Sequence, residues 1–403
     1  MNRDIIERYL ARAPSPACAY LYDLDHLRAR AMRLVAPLPE RCELFYAVKA
    51  NSDAPVLAAL RGTVAGFEVA SLGEIERVRE AAGDARIVFG GPGKTDRELR
   101  GALEHGVELI HVESELQLRR LDAIAREAGR PARVLLRLNP LPFGREGAAP
   151  RATGTLTMGG QATQFGIDER QAPALIALAA ALPGIRLAGL HLHALSNNLD
   201  ARSHLALIDH YLGIAAALRD SHGLVLEILN VGGGIGIDYA DPAREFDWTG
   251  FCDGLHGLLA QQRVDCRIVF ECGRFISADC GCYVAEVIDL KRNHGRDFAV
   301  LRGGTHHFRL PASWQHDHPF QVVPNDAWPY AFARPELRDG RISLCGELCT
   351  PKDVFAREVH VERLRVGDRV VFRLAGAYGW HISHHDFLSH PHPERIFFGG
   401  EPA

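Results

Sequence analysis

Several features that would point to a function at once are missing from this sequence. There is no excess of basic charge: 46 Lys and Arg stand against 50 Asp and Glu, a formal net of −4. The strongly positive field on which nucleic-acid binders rely is therefore absent. No run of 18 apolar residues occurs, so no membrane span is expected. The opening MNRDIIERYLARAPSP carries Arg3, Asp4, Glu7 and Arg8 and no apolar stretch, so it does not read as an export signal. The nine cysteines fall at irregular spacings, and Cys280 and Cys282 have no second pair to complete a zinc site. Reduced thiols in the cytoplasm are the expectation for such a chain. No internal repeat or low-complexity tract stands out.

What remains is an ordinary globular composition, 47% hydrophobic and 24% charged over 403 residues, and a length that suggests two domains. From about residue 30 to 275, short apolar runs alternate with helical patterns. The runs are LFYAV (44–48), GFEVA (66–70), RIVFG (86–90), LIHV (109–112), VLLRL (134–138), LAGLHLH (187–193), LEILNVGG (226–233) and RIVFE (267–271). They lack strict alternation, as strands covered on both faces do. Between them, stretches such as 71–83 and 113–129 are amphipathic and end in glycine, a helix-stop signal. This rhythm predicts an α/β fold, a (β/α)8 TIM-type barrel over 28–278; a doubly wound open sheet is the competitor. Beyond residue 280 the pattern turns to strands with few helices, so 1–27 and 279–403 are expected to form a mostly β, barrel-like domain.

Chemistry-bearing residues sit at the ends of the apolar runs. Lys49 closes the first, in FYAVKAN. Burial at the C-terminal rim of a barrel would favour its neutral amine, a Schiff-base nucleophile; a plain surface lysine is the simpler alternative. Gly232, Gly233 and Gly234 in NVGGGIG could let backbone N–H groups close on a phosphate, or could serve a tight junction. In ECGR, Glu271 could accept a pyridinium N–H, while Arg274, beside Gly273, could reach a phosphate or fix Glu271. A structural ion pair is the other reading. HLHALSN offers His193, able to stack on a ring, and Ser196, able to bond phosphate. His191 and His193 share a strand face and could form a zinc pair, but no third ligand is evident, so no metal is expected. Cys349 in GELCTPKD is a candidate proton donor and Tyr378 in GAYGW a candidate phosphate ligand.

The order YAVKAN, HLHALSN, GGG, ECGR, ELCTPKD, GAYG, joined by GFEVASLGEIE (66–76), LRLNP (136–140) and QFGID (164–168), resembles the fold-type III pyridoxal-phosphate (PLP) decarboxylases of the diaminopimelate, ornithine and arginine class. The resemblance spans about residues 20–395. It implies a PLP-binding barrel plus a β domain built from both chain ends, in a head-to-tail homodimer with shared active sites. It further implies that Lys49 holds the cofactor and His193 stacks on it. Glu271 would pair with the ring nitrogen, and Ser196, Gly232, Gly233, Gly234, Gly273, Arg274 and Tyr378 would bind cofactor, mostly at its phosphate. Cys349 would protonate Cα across the dimer interface. Alanine racemases of the same fold carry an arginine where Glu271 stands, which argues for decarboxylation. Non-catalytic relatives tend to lack the lysine or the cysteine, and both are present.

Three departures bear on substrate. Thr350 stands where diaminopimelate enzymes place a glutamate, ECGR replaces EPGR, and GAYG runs into WHISHHDFLSHPHPE (380–394). With GGTHHFRLPASW (303–314), this resembles the branch serving carboxylate siderophores. That branch implies an amino acid amide-linked to citrate as substrate, citryl-diaminopropionate giving citryl-ethylenediamine. Arg309, His306, Thr350 and His381, with His307, His384 or His385, are the candidate substrate contacts. Decarboxylation of a free diamino or basic amino acid is the alternative.

Overall fold

The computed structural model describes residues 3–141, 156–157, 159–261 and 263–400. The chain packs as two units, Arg28–Ile237 with Glu245–Ile276, and Met1–Leu27 with Asp238–Arg244 and Ser277–Ala403.

In the first unit eight parallel strands close on themselves. Cys42–Ala47 pairs with Gly66–Val69 on one side and Arg267–Cys272 on the other. The ladder continues through Ile228–Gly232, Ile185–Leu192, Ala132–Asn139, Leu109–Val112 and Ile87–Phe89, which returns to Gly66–Val69. This is the closed barrel rather than the open sheet. The expected helices form between the strands. Ser71 caps Leu72–Ala82 by accepting from the Glu74 N–H, and Gly83 ends that helix at φ +61°. Ser114 caps Glu115–Glu127 in the same way through Gln117. Such caps satisfy backbone donors that a helix end leaves open.

Side-chain alternation along each strand sorts the barrel interior into layers. Phe45, Val88, Leu109, Leu135, Ala188, Ile228 and Val269 form an apolar cluster, one residue from each of seven strands. Burial of each larger member contributes roughly 1.5–3 kcal/mol. Two residues on, the same strand faces carry His111, Arg137, Asn230 and Glu271. The sixth strand needs an extra step to join them. Val134 pairs with Leu187 but Leu135 pairs with Gly189, so Ala188 is a bulge. The bulge leaves Ala188 in the apolar layer and still delivers His191, opposite Arg137, to the polar one.

The second unit is built on one eight-stranded sheet. Its long strand Gly281–Asn293 pairs antiparallel with Cys18–Asp23, Arg296–Leu301 and Arg369–Phe372. Cys18–Asp23 also pairs, in parallel, with Glu394–Phe398, so segments near both ends of the chain share one sheet. Ile5, Ile6 and Tyr9 of the helix Arg3–Leu10 pack on Ala19, Leu21, Val284 and Val371. The short segment Asp238–Arg244 groups with this unit: Tyr239 stacks on His316 with ring centres 4.9 Å apart and lies 5.3 Å from His318. No helix among the described residues is long and apolar enough to cross a membrane.

Candidate active site

The polar layer of the barrel and the C-terminal ends of its strands hold a connected set of titratable groups. Lys49 lies in the single 3-10 turn Val48–Ala50 that follows the first barrel strand. Its ammonium group contacts Glu68 Oε2 at 2.7 Å, with the lysine side chain 49% exposed and the glutamate buried. The amine is thus fixed at one end yet open to an incoming carbonyl. Lys94 is the contrasting lysine. It is buried and donates to the Gly91 and His111 carbonyls at 2.5 and 2.7 Å, and burial lowers its pKa to about 8.

Glu271, at the end of the eighth barrel strand, is the hub of the layer. Its Oε1 accepts from the Asn230 amide at 2.6 Å and lies 3.7 Å from His111 Nε2, while Oε2 lies 3.6 Å from His191 Nε2. Burial, reinforced by the negative Glu68, raises its pKa well above the ordinary carboxylate range. Burial also holds His111 and His191 neutral, their pKa values lying well below the usual imidazole value. The His111 and His191 rings are 4.2 Å apart, and neither His191 nitrogen has a hydrogen-bond partner. Each of His111, His191 and Glu271 offers a ligand-capable atom within 4.8 Å of the others. His191 therefore groups with His111, from a distant strand, rather than with His193 as a strand-face pair. The Asn230 N–H aimed at Glu271 brings a donor, not a lone pair, into this cluster.

His193 sits one step further out, its ring 6.4 Å from His191 and inclined to it by 15°. Burial, then the cationic Arg137 and Lys49, push its pKa down to about 3. A neutral imidazole can lie flat under a cationic ring without like-charge repulsion. Directly against it is Gly232, at φ +67°, where a Cβ would run into His193 Nδ1. A Cβ on Gly233 would strike the Glu271 carbonyl, and one on Gly234, at φ +86°, the Leu195 carbonyl. The three glycines are thus required by close approach. Two backbone hydrogen bonds, Asn198 N–H to the Gly234 carbonyl at 2.7 Å and Gly236 N–H to the Asn198 carbonyl at 2.9 Å, tie this loop to the HLHALSN loop. Ser196 lies on that second loop, paired with Leu156. Arg274, buried, begins the short helix Arg274–Ser277 just after Gly273.

Glu68, His111, Asn230 and the buried pair Arg137–Glu113, at 2.8 Å, were not singled out in the sequence. Each is a polar residue interrupting an apolar strand or closing it, at the same inward phase as its neighbours. That interruption was the signal available.

The second unit carries the remaining candidates. Cys349 is exposed and Thr350 half-buried, on the loop between Glu336–Cys345 and Val354–Arg365. Tyr378, half-buried, adopts φ +53°. Arg309 is exposed and, with Thr350 and His384, lines an open cleft. His306 is buried, its ring 3.7 Å from that of His307, with neither ring nitrogen hydrogen-bonded, and it is not among the residues lining the cleft. His381 is half-buried in the turn Trp380–Ile382 and is not among the residues lining the cleft.

Residues 24–278 match the family model described as the pyridoxal-dependent decarboxylase, pyridoxal binding domain. The chain belongs to that family. The decarboxylase is 46% identical over 394 residues, 98% of this chain and 96% of the other, to the 2-[(L-alanin-3-ylcarbamoyl)methyl]-2-hydroxybutanedioate decarboxylase of Staphylococcus aureus. It is 34% identical over 370 residues to the diaminopimelate decarboxylase of Pseudomonas aeruginosa, covering 90% and 83% of the two chains. Among solved structures, the diaminopimelate decarboxylase of Helicobacter pylori complexed with L-lysine superimposes with a TM-score of 0.84 at 26% identity, covering 98% of this chain and 94% of the other. The enzyme is accordingly a PLP-dependent decarboxylase. The barrel residues fit that cofactor: an accessible amine, an imidazole face, three glycines that leave room for backbone approach, and a buried carboxyl.

Proposed function

We propose that this enzyme decarboxylates a diamino acid whose distal nitrogen is amide-linked to citrate, citryl-diaminopropionate, to citryl-ethylenediamine in carboxylate-siderophore assembly. The observation that carries this reading is the near full-length similarity to an enzyme named for that substrate. It is supported by Thr350, where an acidic residue would be needed to hold a free distal ammonium, and by exposed Arg309 in the adjoining cleft.

In the proposed mechanism Lys49 would be the residue that holds the cofactor covalently through its amine. Glu68, at 2.7 Å, accepts a hydrogen bond from that lysine and keeps its Nζ aimed into the site. When bound, the cofactor supplies an electron-withdrawing pyridinium ring that stabilises the carbanion left as CO2 departs. Glu271, which accepts from the Asn230 amide at 2.6 Å, would pair with the ring nitrogen. Neutral His193 would support the ring. Ser196, the loop of Gly232, Gly233 and Gly234, Gly273, Arg274 and Tyr378 would bind the phosphate end. Cys349 delivers a proton to Cα from its thiol. We propose a head-to-tail homodimer in which Cys349 of one subunit serves its partner's cofactor. The nine cysteines are all free thiols, consistent with a reducing, cytoplasmic setting.

The test is CO2 release from a panel of citryl-diaminopropionate, ornithine, lysine and meso-diaminopimelate. Turnover of the citryl amide well above the free amino acids is expected. Turnover of a free diamino acid with none on the citryl amide would overturn the assignment and favour the alternative, a decarboxylase of free diamino acids.

A further inference from the structure

The second unit contains a cleft of about 930 Å³ bounded by the helix Leu310–Trp314, the loop that carries Cys349 and the start of the strand Val354–Arg365. Three cations line it, Arg309, Lys352 and Arg357, and no carboxylate does. Among the described residues, none of the three makes an ion pair. Of the acids close in the chain or in contact, Asp317 accepts the Arg357 backbone N–H at 2.8 Å, and Asp353 is held by backbone donors. Buried under the loop, it accepts the Thr305 N–H at 2.6 Å and the Leu348 N–H at 2.8 Å. It therefore fixes the loop's shape and forms no ion pair with the lysine beside it. Thr305, Ser313, Gln315, Thr350 and His384 add uncharged polar groups to the lining.

An open cleft with three unpaired positive groups on three different elements is matched to an extended polyanion rather than to one compact charge. The same lining offers no carboxylate to an ammonium group. We propose that this cleft receives the two carboxylates at the citryl end of the substrate, and that Lys352 and Arg357, beside Arg309, are the residues that set specificity for it. The inference rests on the substrate reading above. It extends that reading by assigning recognition to Lys352, on the loop that carries Cys349, and to Arg357, on the strand that follows it. A free diamino acid, cationic at its distal end, would be disfavoured by the same charges.

The experiment is steady-state CO2 release by the holoenzyme on citryl-diaminopropionate, with free citrate as inhibitor, for the wild type and for Lys352→Ala, Arg357→Gln and Lys352→Arg. Each charge-removing variant should raise KM at least about tenfold, leave kcat within about threefold and weaken citrate inhibition in proportion. Lys352→Arg should restore most of the loss, and the absorbance of bound cofactor should be unchanged throughout. Unaltered KM and unaltered citrate inhibition in both charge-removing variants would overturn the proposal. If the wild type fails to turn over the citryl amide, the substrate reading fails by itself, and calorimetric citrate binding then decides the cleft. Binding lost on Lys352→Ala sustains a dicarboxylate site; binding absent from the wild type, or unchanged in the variant, overturns it.

Discussion

The barrel's polar layer and the cleft of the sheet unit treat charge in opposite ways. In the barrel every strong charge is answered at close range. Lys49 faces Glu68, Arg137 faces Glu113, and Glu271 is surrounded by an amide and two imidazoles held neutral by burial. In the cleft Arg309, Lys352 and Arg357 stand without acidic partners. The difference follows from cost. An unpaired charge in a buried layer is expensive, whereas an exposed one is cheap to leave open and gains only when an anion arrives. Fixed protonation states belong where bonds are broken, and unanswered charge belongs where a ligand is recognised.

Substitutions that remove the barrel's reactive groups should be the most damaging. Lys49→Ala should lower decarboxylation by at least about 10³-fold while the fold, read by circular dichroism, persists. Cys349→Ala should keep the cofactor's visible absorbance and lose about 10²-fold in turnover, as expected for a positioned proton donor; unchanged turnover would remove Cys349 from the mechanism. Gly232→Ala should act through space. Its Cβ meets His193 and its φ of +67° disfavours a side chain, so cofactor affinity should fall about tenfold, measured by fluorescence titration of the apoenzyme. The smallest effect concerns pH. His111 has a folded-state pKa well below 6.5, because burial disfavours its charged form. The unfolded chain binds a proton there as pH falls below 6.5 and the folded chain refuses it, so stability is lost toward acid. His111→Asn should flatten the slope of unfolding free energy against pH between 6 and 5 by up to about 1.4 kcal/mol per pH unit, measured by urea titration of the apoenzyme.

Much of this was legible in the sequence, for reasons that differ between the two regions. The eight strand segments were readable because a parallel strand covered on both faces must be apolar throughout, and each observed strand falls within a residue or two of its apolar run. The barrel end of the site was readable because Lys49, the glycine run and Glu271 all lie at strand ends in recognisable strings. His111 and Asn230 were not, because a single polar residue inside LIHV or LEILNVGG reveals its inward phase only once its neighbours are paired. Ala188 shows the same limit: a bulge sets which histidines face inward, and no local pattern announces it. The burial of His306 was not readable either, because adjacent histidines in a loop look alike until one is seen packed on the other. Lys352 and Arg357 were passed over because exposed cations are common, and only a shared cleft distinguishes them.

The central claim is that Lys49 is the group that carries the cofactor, and the chain makes this easy to test because it has just three other lysines, Lys94, Lys291 and Lys352. Borohydride reduction of the holoenzyme followed by peptide mass mapping should place the pyridoxyl label on Lys49 alone. A label on Lys94, or no label on protein that retains activity, would contradict it.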